Sequence, residues 1–347
     1  MIWKIFSFTF TILVILLLVF YWFFPFNTTE FYADFSSSNN FNFTLNASEI
    51  KDMQFYENMR YPNSEISYRI YNCPLFKENE IELAFNTLSN LTVLDFYPIS
   101  HNEEISATCE SRGKTRGGLF IAGEGGPINI TSTQNFNVIF QGEILLIKES
   151  KCENPNVGLH EILHALGFNH SSNPKNIMYD ISKCGQTIGE DIINRINELY
   201  SVESYPDLSF ENVSAVMNGK YLDTNISIRN HGLKDSGNAK LIIYADEKLI
   251  KEIELDPIRI GYGLTITLEN IFILKINVNE LIFLIESDFD ELNKNNNKIK
   301  LEIKNNWIKG LVLKHQLPSR TRHHPLLQEV SDFLSFSPFF VFRYLLS

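Results

Sequence analysis

The sequence predicts an N-terminal membrane-spanning helix, then an α+β domain, then an all-β sandwich. Three observations predict this order. Residues 5–24 form an uncharged apolar run, residues 64–203 mix helical and strand periods, and residues 204–305 hold short alternating runs without a helical period. The 347 residues suffice for two domains, and a composition of 44% hydrophobic and 20% charged residues is typical of globular chains.

The charge balance excludes one class of partner. The formal net charge is -11 at pH 7. Nucleic-acid binding depends on clustered Lys and Arg that neutralise phosphates, and the chain has no basic stripe of that kind. We therefore expect no nucleic-acid partner, while the oligomeric state stays open.

The apolar run Ile5–Phe24 contains twenty residues without a charge, a Gly or a Pro. At about 1.5 Å per residue such a helix spans about 30 Å, the thickness of a bilayer's hydrocarbon core. Trp3, Tyr21 and Trp22 lie near its ends, where amphipathic rings favour the membrane interface. Residues 1–26 are therefore predicted to be a membrane anchor.

The flanking charges predict the orientation of this anchor. Lys4 precedes the run, whereas Glu30 and Asp34 follow it, so the N-terminus is expected in the cytoplasm and the remaining chain outside the cell membrane. The alternative is a cleaved signal peptide and a secreted protein. The length of the run and the bulky residues 23–26 favour a retained anchor. In both cases the rest of the chain is exported.

Residues 27–63 have no strong period and are predicted to be a spacer, whereas residues 64–203 interleave two kinds of regular pattern. Alternating runs predict strands at residues 66–71, 95–99, 105–110, 119–122, 136–140 and 143–147. Runs with a helical period predict helices at residues 77–93, 157–167 and 189–200.

One of these helices carries histidines at a spacing that predicts a metal site. His160 and His164 lie one helical turn apart, so both imidazoles project from one face and can reach one Zn²⁺ at about 2.0–2.1 Å. Gly167 permits the helix to stop, and the chain can then turn back to deliver His170 as a third ligand. Three protein ligands leave a fourth position for water, which predicts one catalytic zinc ion.

Glu161 lies beside the first histidine and is suited to act as general base on metal-bound water. The apolar residues of the same segment, Leu163, Ala165, Leu166 and Phe168, are predicted to pack this helix into the domain core.

The full pattern of residues 160–170, H-E-x-x-H-x-x-G-x-x-H, resembles the zinc signature of the metzincin metalloproteases. His170 followed by Ser171 is most similar to the matrixin group. The resemblance covers residues 64–201 and implies an α+β protease domain with a substrate cleft. It also implies a Met-turn after the third histidine, with Met178 as a hydrophobic floor under the zinc rather than a ligand.

The chain departs from the matrixin pattern in two places. Asp180 stands where matrixins usually have Pro, so the neighbouring substrate pocket stays undefined. Cys73 lies inside the predicted domain, so latency through a cysteine thiolate on the zinc is not expected. Among the remaining acidic residues, Glu124 occurs in the Gly-rich run 123–127 and is predicted to lie in a surface turn.

Four cysteines, all between residues 73 and 184, predict two disulfides in an exported domain. Three pairings are compatible with the sequence. We favour Cys152 with Cys184, because they bracket the histidine segment, which leaves Cys73 with Cys109. The alternative is four reduced, buried cysteines.

Residues 204–305 predict the sandwich. Alternating runs separated by turn residues predict strands at residues 213–217, 222–229, 240–245, 249–255, 265–268, 271–276, 281–287 and 298–303. Residues 226–232 and the acidic, Asn-rich segment 286–297 make this part similar to the CARDB family of extracellular immunoglobulin-like domains. That segment could bind Ca²⁺ through oxygen ligands, but a solvated hairpin turn is favoured because the carboxylates lack EF-hand spacing.

The residues after the sandwich, 306–347, contain an aromatic run that is too short and broken for a second membrane span, and their structure is left open. The functional prediction is a membrane-anchored zinc metalloendopeptidase that hydrolyses protein or peptide substrates with Glu161 as general base. The alternative is a surface binding or adhesion protein with an inactive zinc domain. The presence of Glu161 argues against it, because a pure metal scaffold needs no base. A zinc hydrolase of non-peptide amides is a third hypothesis.

Overall fold

The computed structural model describes residues 2–23, 28–33, 43, 53–111, 114–116, 119–148, 152–275, 277–303 and 340–341. Residues 53–203 form a first domain, and the strand Thr28–Ala33 together with residues 205–303 forms a second domain. The N-terminal helix, α1, runs from Ile2 to Phe23. In the described part of the chain, no helix meets the length and apolar character required to cross a membrane.

The first domain is built on one mixed sheet, with strands in the order β17, β8, β9, β5, β3 and β4, and with β2 beside β9. The pairs among β3, β4, β5 and β9 are parallel, whereas β8 runs antiparallel to β9. The strands are β2 (Met59–Arg60), β3 (Glu65–Tyr71), β4 (Asp95–Pro98), β5 (Ile105–Cys109), β8 (Gly123–Ser132), β9 (Asn137–Leu146) and β17 (Phe340–Val341). A separate hairpin joins β6 (Lys114–Arg116) to β7 (Leu119–Ile121).

Three helices complete the first domain: α2 (Leu75–Leu91), α3 (Asn156–Ala165) and α4 (Glu190–Leu199). Helix α2 buries one face at helical spacing, through Ile81, Ala84, Phe85 and Leu88, as its sequence pattern predicts. Helix α3 is buried on every side, because it lies against α2 and beneath β8 and β9. The predicted α+β architecture is confirmed, and α3 is its central element.

Strand β8 corrects the sequence prediction for Glu124. The Gly-rich run was predicted to be a surface turn, yet residues 123–127 form the first half of a ten-residue strand. Glycine has a low strand propensity, but it lets a strand approach another element closely. Here the backbone of β8 lies against α3, and that packing outweighs the local preference for a turn.

The two disulfides are Cys73–Cys109 and Cys152–Cys184, the favoured pairing. The first joins the start of α2 to the end of β5, and the second joins the segment before α3 to the segment before α4. Both cross-links therefore lie in the first domain and flank the histidine helix.

The second domain is a β-sandwich whose strands follow the order β13, β12, β15, β16, β1, β10, β11 and β14. Their bounds are β1 (Thr28–Ala33), β10 (Leu208–Asn218), β11 (Tyr221–Asn230), β12 (Ala239–Ala245), β13 (Lys248–Leu255), β14 (Gly263–Phe272), β15 (Glu280–Ser287) and β16 (Lys298–Ile303). All neighbouring pairs are antiparallel, and one apolar core gathers side chains from both halves, among them Leu222, Ile226, Leu241 and Phe283. The predicted β-rich domain is confirmed.

Strand β1 shows that part of the predicted spacer 27–63 belongs to the second domain. Residues 28–31 pair with β10 and residues 31–33 pair with β16, so β1 joins the two halves of the sandwich. Phe31 is only 3% exposed in the core of the second domain. Met59 and Tyr61, farther along the same stretch, are fully buried in the first domain. Long-range contacts, which a local period does not report, bring Thr28–Ala33 into the second domain and residues 59–61 into the first.

The two domains share a small apolar cluster and a buried arginine. Phe136 and Val138 of the first domain pack with Leu233 and Ile260 of the second. Arg60 donates hydrogen bonds to the carbonyl oxygens of Leu199 at 2.5 Å and Val202 at 2.8 Å, and to the Ser204 hydroxyl at 3.2 Å. These contacts tie the end of the first domain to the start of the second.

Candidate metal centre

Helix α3 and the turn after it bring the three predicted ligands together. His160 and His164 lie on the helix and are at most 1% exposed. The helix ends at Ala165, and Gly167 follows with a φ of +91°, a left-handed conformation that suits glycine. Because the chain reverses there, His170 returns toward the helix.

The three side chains converge closely enough to hold one metal ion. One ring nitrogen from each of His160, His164 and His170 lies within 4.8 Å of the others. The Nε2 atoms of His164 and His170 are 3.1 Å apart. Two nitrogens bound tetrahedrally to zinc at 2.0–2.1 Å stand about 3.3 Å from each other. The His164–His170 pair therefore has the spacing of two zinc ligands, and His160 lies close enough to share the same ion.

Hydrogen bonds to the backbone orient two of these rings. His160 Nδ1 lies 2.7 Å from the carbonyl oxygen of Ile177, and His164 Nδ1 lies 2.8 Å from that of Phe168. A carbonyl oxygen only accepts, so each Nδ1 carries the proton and each Nε2 keeps its lone pair for a metal. The backbone of the domain thus selects the ligand tautomer.

Burial keeps the three rings neutral. It lowers the pKa of His160 well below its usual value and that of His164 to about 3, and it lowers the pKa of His170 as well. The neighbouring histidines lower the pKa values of His160 and His164 further, whereas the Asp180 charge partly raises that of His170. Neutral imidazole is the form that binds a metal.

The loop after His170 contains the predicted Met-turn. Met178 is 1% exposed and belongs to the core of the first domain. Its carbonyl oxygen accepts a hydrogen bond from the Ser171 N–H at 2.8 Å, and its own N–H donates to Asn176 Oδ1 at 2.8 Å. The preceding residue, Ile177, supplies the carbonyl that orients His160. The turn therefore acts on the metal centre through the backbone and packing.

Glu161 is enclosed in the interior of the first domain, with Gly123 and Gly125 of β8 against its side chain. The residue is fully buried, and neither carboxylate oxygen has a hydrogen-bond partner in the described part of the chain. Burial raises the pKa of Glu161 well above its usual value, and the charge of Glu124 on β8 raises it further. A buried carboxyl of raised pKa is a stronger base than an exposed one, which suits a group that takes and returns a proton.

The sequence prediction missed a segment that packs against the turn after α3 and against the His164 ring. Residues 53–55, part of the predicted spacer, pair with the turn that carries the third histidine. The Phe55 N–H donates to the Gly167 carbonyl at 3.0 Å, and the Asn169 N–H donates to the Met53 carbonyl at 2.9 Å. The Phe55 ring stacks on the His164 ring at a centroid distance of 5.7 Å. No local motif marks this segment, so only the folded chain reveals it.

A buried arginine holds the same segment. Arg195 on α4 donates to Gln54 Oε1 at 3.2 Å and to Asn58 Oδ1 at 3.1 Å. The Gln54 side chain also bonds the backbone of Met59, donating to its carbonyl oxygen at 2.8 Å. The helical period of α4 marks its apolar face, but it does not indicate that Arg195 is 5% exposed and ordered by this network.

The acidic segment of the second domain is tied into the sandwich by its own polar groups. Glu291 Oε2 accepts the Leu208 N–H at 2.8 Å, and Glu291 Oε1 accepts hydrogen bonds from Ser287 and Asn297 at 2.5 and 2.8 Å. Among the described residues, the histidine cluster is the one group of three or more His, Cys, Asp or Glu side chains close enough to hold a metal. Calcium binding by the second domain, which the sequence analysis did not favour, stays untested.

Comparison with known families agrees with both halves of the chain. Residues 60–201 match the Matrixin family of peptidases, and residues 205–301 match the CARDB family. The first domain is thus matrixin-like and the second CARDB-like, as the sequence predicts.

Individual relatives cover only parts of the chain. Macrophage metalloelastase of Rattus norvegicus is 30% identical over 140 residues, which are 35% of this chain and 28% of that protein. Among solved structures, high choriolytic enzyme 1, a hatching-enzyme zinc protease of Oryzias latipes, has 16% identity and a TM-score of 0.28, covering 41% of this chain and 92% of its own. The CARDB domain of a Pyrococcus furiosus protein in complex with di-metal ions has 16% identity and a TM-score of 0.24, covering 28% of this chain and 88% of its own.

Proposed function

We propose that this chain, a matrixin-like metalloprotease domain joined to a CARDB domain, is a zinc-dependent endopeptidase that acts outside the cytoplasm. The observation that carries the proposal is the convergence of His160, His164 and His170, with the buried Glu161 directly after His160 on the same helix. Three neutral imidazoles and one nearby base are the set of groups that zinc-dependent hydrolysis requires.

The histidines and Glu161 have different roles in the proposed reaction. The three histidines would hold a zinc ion, which when bound lowers the pKa of a water molecule and polarises a carbonyl group. Glu161 accepts the proton of the attacking water and returns it to the leaving amine, so its carboxyl ends the cycle as it began. The burial of Glu161 favours this role, because it disfavours the charged carboxylate, raises the pKa and so strengthens the base.

A peptide substrate is proposed from the edge of β8. This strand lies beside α3, and its outer edge pairs antiparallel with β17, as Phe340 opposite Gly125 and Val341 opposite Glu124. An edge that accepts one extended segment can accept another through the same backbone hydrogen bonds. A substrate chain bound there would run past the metal centre, which supports peptide bonds as the target.

The location outside the cytoplasm is proposed from the N-terminal segment and the cysteines. The apolar residues of α1 follow Lys4, which favours a cytoplasmic N-terminus and a single-pass membrane protein; a secreted protein is the alternative. Both disulfides lie in the first domain, and disulfides persist in oxidising compartments.

The test is hydrolysis by the full chain with its metal content measured. Zinc per chain is determined by elemental analysis, and casein, a peptide library and non-peptide amides are offered as substrates before and after chelation. We expect about one zinc per chain and chelator-sensitive cleavage of peptides. Stoichiometric zinc without hydrolysis would favour the adhesion alternative, and cleavage of non-peptide amides alone would replace the substrate class.

A further inference from the structure

We propose that Gly123 and Gly125 of β8 are positioning residues, because their missing side chains leave the space in which the Glu161 carboxylate stands beside the histidines. The proposal rests on the function proposed above. It concerns what holds the base in place, which the histidine motif itself does not specify.

Gly123 faces the carboxylate directly. A Cβ atom built on Gly123 would lie 2.6 Å from Glu161 Oε1, 2.7 Å from Cγ and 2.8 Å from Cδ. Real Cβ atoms essentially never show contacts under 3.0 Å, so even an alanine at this position requires the glutamate side chain to move. The close contact involves three consecutive atoms of that side chain, so rotating only its terminal bond does not clear it.

Gly125 controls the distance between strand and helix. A Cβ atom there would lie 2.5 Å from the backbone oxygen of Glu161 and 3.0 Å from Oε2. Side chains alternate along a strand, so residues 123 and 125 face α3 while Glu124 faces away. The two glycines thus form one bare patch over Glu161.

Backbone freedom does not account for these glycines. Gly123 and Gly125 have no left-handed φ, unlike Gly167, so the backbone of β8 can be adopted by any residue type. Space is therefore the physical requirement at both positions. Glu161 and the helix around it are fully buried, so a displaced carboxylate cannot turn into solvent without disturbing its packed neighbours.

Displacing the base has a defined kinetic consequence. A misplacement of about 1 Å in a reacting group can cost about 10²-fold in rate. We expect Gly123→Ala to lower kcat about 10²-fold with little change in KM, since the substitution adds a Cβ on the face toward Glu161 and leaves the backbone donors and acceptors of β8 unchanged. The zinc content should stay at the wild-type value, because the three heavy atoms nearest to a Cβ at position 123 all belong to Glu161.

The experiment is a double-mutant cycle in the full chain. Wild type, Gly123→Ala, Glu161→Asp and the double variant are compared for kcat, KM, zinc per chain and the Tm of the first domain. Aspartate is one methylene shorter, so it vacates space that the new Cβ needs. Gly185→Ala is the matched control, because a Cβ there meets nothing within 4 Å.

The expected result is strong coupling. Gly123→Ala should lose about 10²-fold in kcat in the wild-type background and only a few-fold in the Glu161→Asp background. Gly123→Ala should lower the Tm by a few degrees in the wild-type background and by less in the Glu161→Asp background. This measurement needs no substrate. Gly185→Ala should match wild type throughout.

Two outcomes overturn the proposal. One is a Gly123→Ala chain with wild-type kcat, and the other is an equal penalty in both backgrounds, which would show a general defect of β8. If the wild type binds zinc but hydrolyses nothing, the proposed function fails, and the Tm cycle alone decides whether Gly123 and Glu161 compete for space.

Discussion

Each domain buries one acidic side chain whose environment raises its pKa. In the first domain burial raises the pKa of Glu161 well above its usual value, and in the second it raises that of Asp207 to about 6. Their partners differ. Neither oxygen of Glu161 has a hydrogen-bond partner among the described residues, whereas Asp207 Oδ1 accepts from Asn296 Nδ2 at 2.9 Å.

This difference agrees with the proposed role of Glu161 in hydrolysis and with a structural role for Asp207. An unpartnered buried carboxyl costs stability, so it persists where its chemistry is used. Asp207 instead belongs to a network in which its N–H donates to Asn230 Oδ1 at 3.0 Å, at the point where the sandwich begins. We therefore expect changes in the first domain to act on hydrolysis and changes in the second to act on stability.

The largest expected effect comes from a change in the histidine cluster of the first domain. His164→Ala removes one of three ligands, so zinc per chain should fall well below one and peptide hydrolysis should fall by at least about 10³-fold. Elemental analysis and a peptide assay measure both. His101→Ala, a change at an exposed histidine of the same domain, is the control and should leave both unchanged. Full activity in His164→Ala would break the assignment of the metal centre.

The stability of the second domain should depend on Phe31, although this residue precedes the rest of the domain by more than 170 positions. Phe31 on β1 is buried in the core of the sandwich, so Phe31→Ala should lower its free energy of unfolding by about 3–5 kcal/mol. Tyr32→Ala is the control, since Tyr32 is 45% exposed. Urea unfolding monitored by a probe in each domain separates the two domains. An unchanged sandwich would show that β1 does not belong to it.

The disulfides should stabilise the first domain alone. Cys152 and Cys184 close a loop with a sequence separation of 32, for which the chain-entropy model gives about 3–4 kcal/mol. Replacing both cysteines by alanine should lower the free energy of unfolding of the first domain by that amount. The free energy of unfolding of the second domain should stay unchanged. Calorimetry of the two transitions measures this, and an equal shift in both would mean that the domains unfold as one unit.

The smallest predicted effect is the pH dependence of the second domain. A raised pKa means that the folded state holds the Asp207 proton more tightly than the unfolded chain. The stabilisation by that proton is complete below about pH 4 and is lost as the pH rises through about 6, a change of at most about 3 kcal/mol. Asp207→Asn should abolish this slope, whereas Asp290→Asn, at an exposed position of the acidic segment, should retain it. Unfolding by urea from pH 4 to pH 8 provides the measurement.

The sequence predicts those features whose signal is local. The helical period of α2, the histidine spacing of α3 and the alternation in β11 and β12 each follow from neighbouring residues, and the structure places them as expected. The disulfide pairing followed from cysteines that bracket the histidine segment.

The missed features depend on contacts between distant segments. Phe31 becomes a core residue only because β1 pairs with β10 and β16. Strand β10 lies almost two hundred residues later in the sequence, and β16 lies still farther away. Phe55 reaches His164 only through the pairing of its segment with the turn at Gly167. Gly123 is typical of a turn by local propensity, and the need for a bare strand over Glu161 becomes visible only when α3 is in place.

The central claim is that the three histidines and Glu161 form one hydrolytic centre. It is tested most directly by measuring zinc per chain and peptide hydrolysis in the same samples of wild type and Glu161→Gln. The isosteric amide cannot take a proton, so we predict about one zinc in both proteins and a loss of about 10²- to 10⁴-fold in kcat for the variant. Equal hydrolysis by both proteins at equal zinc content would contradict the role of Glu161 as the base.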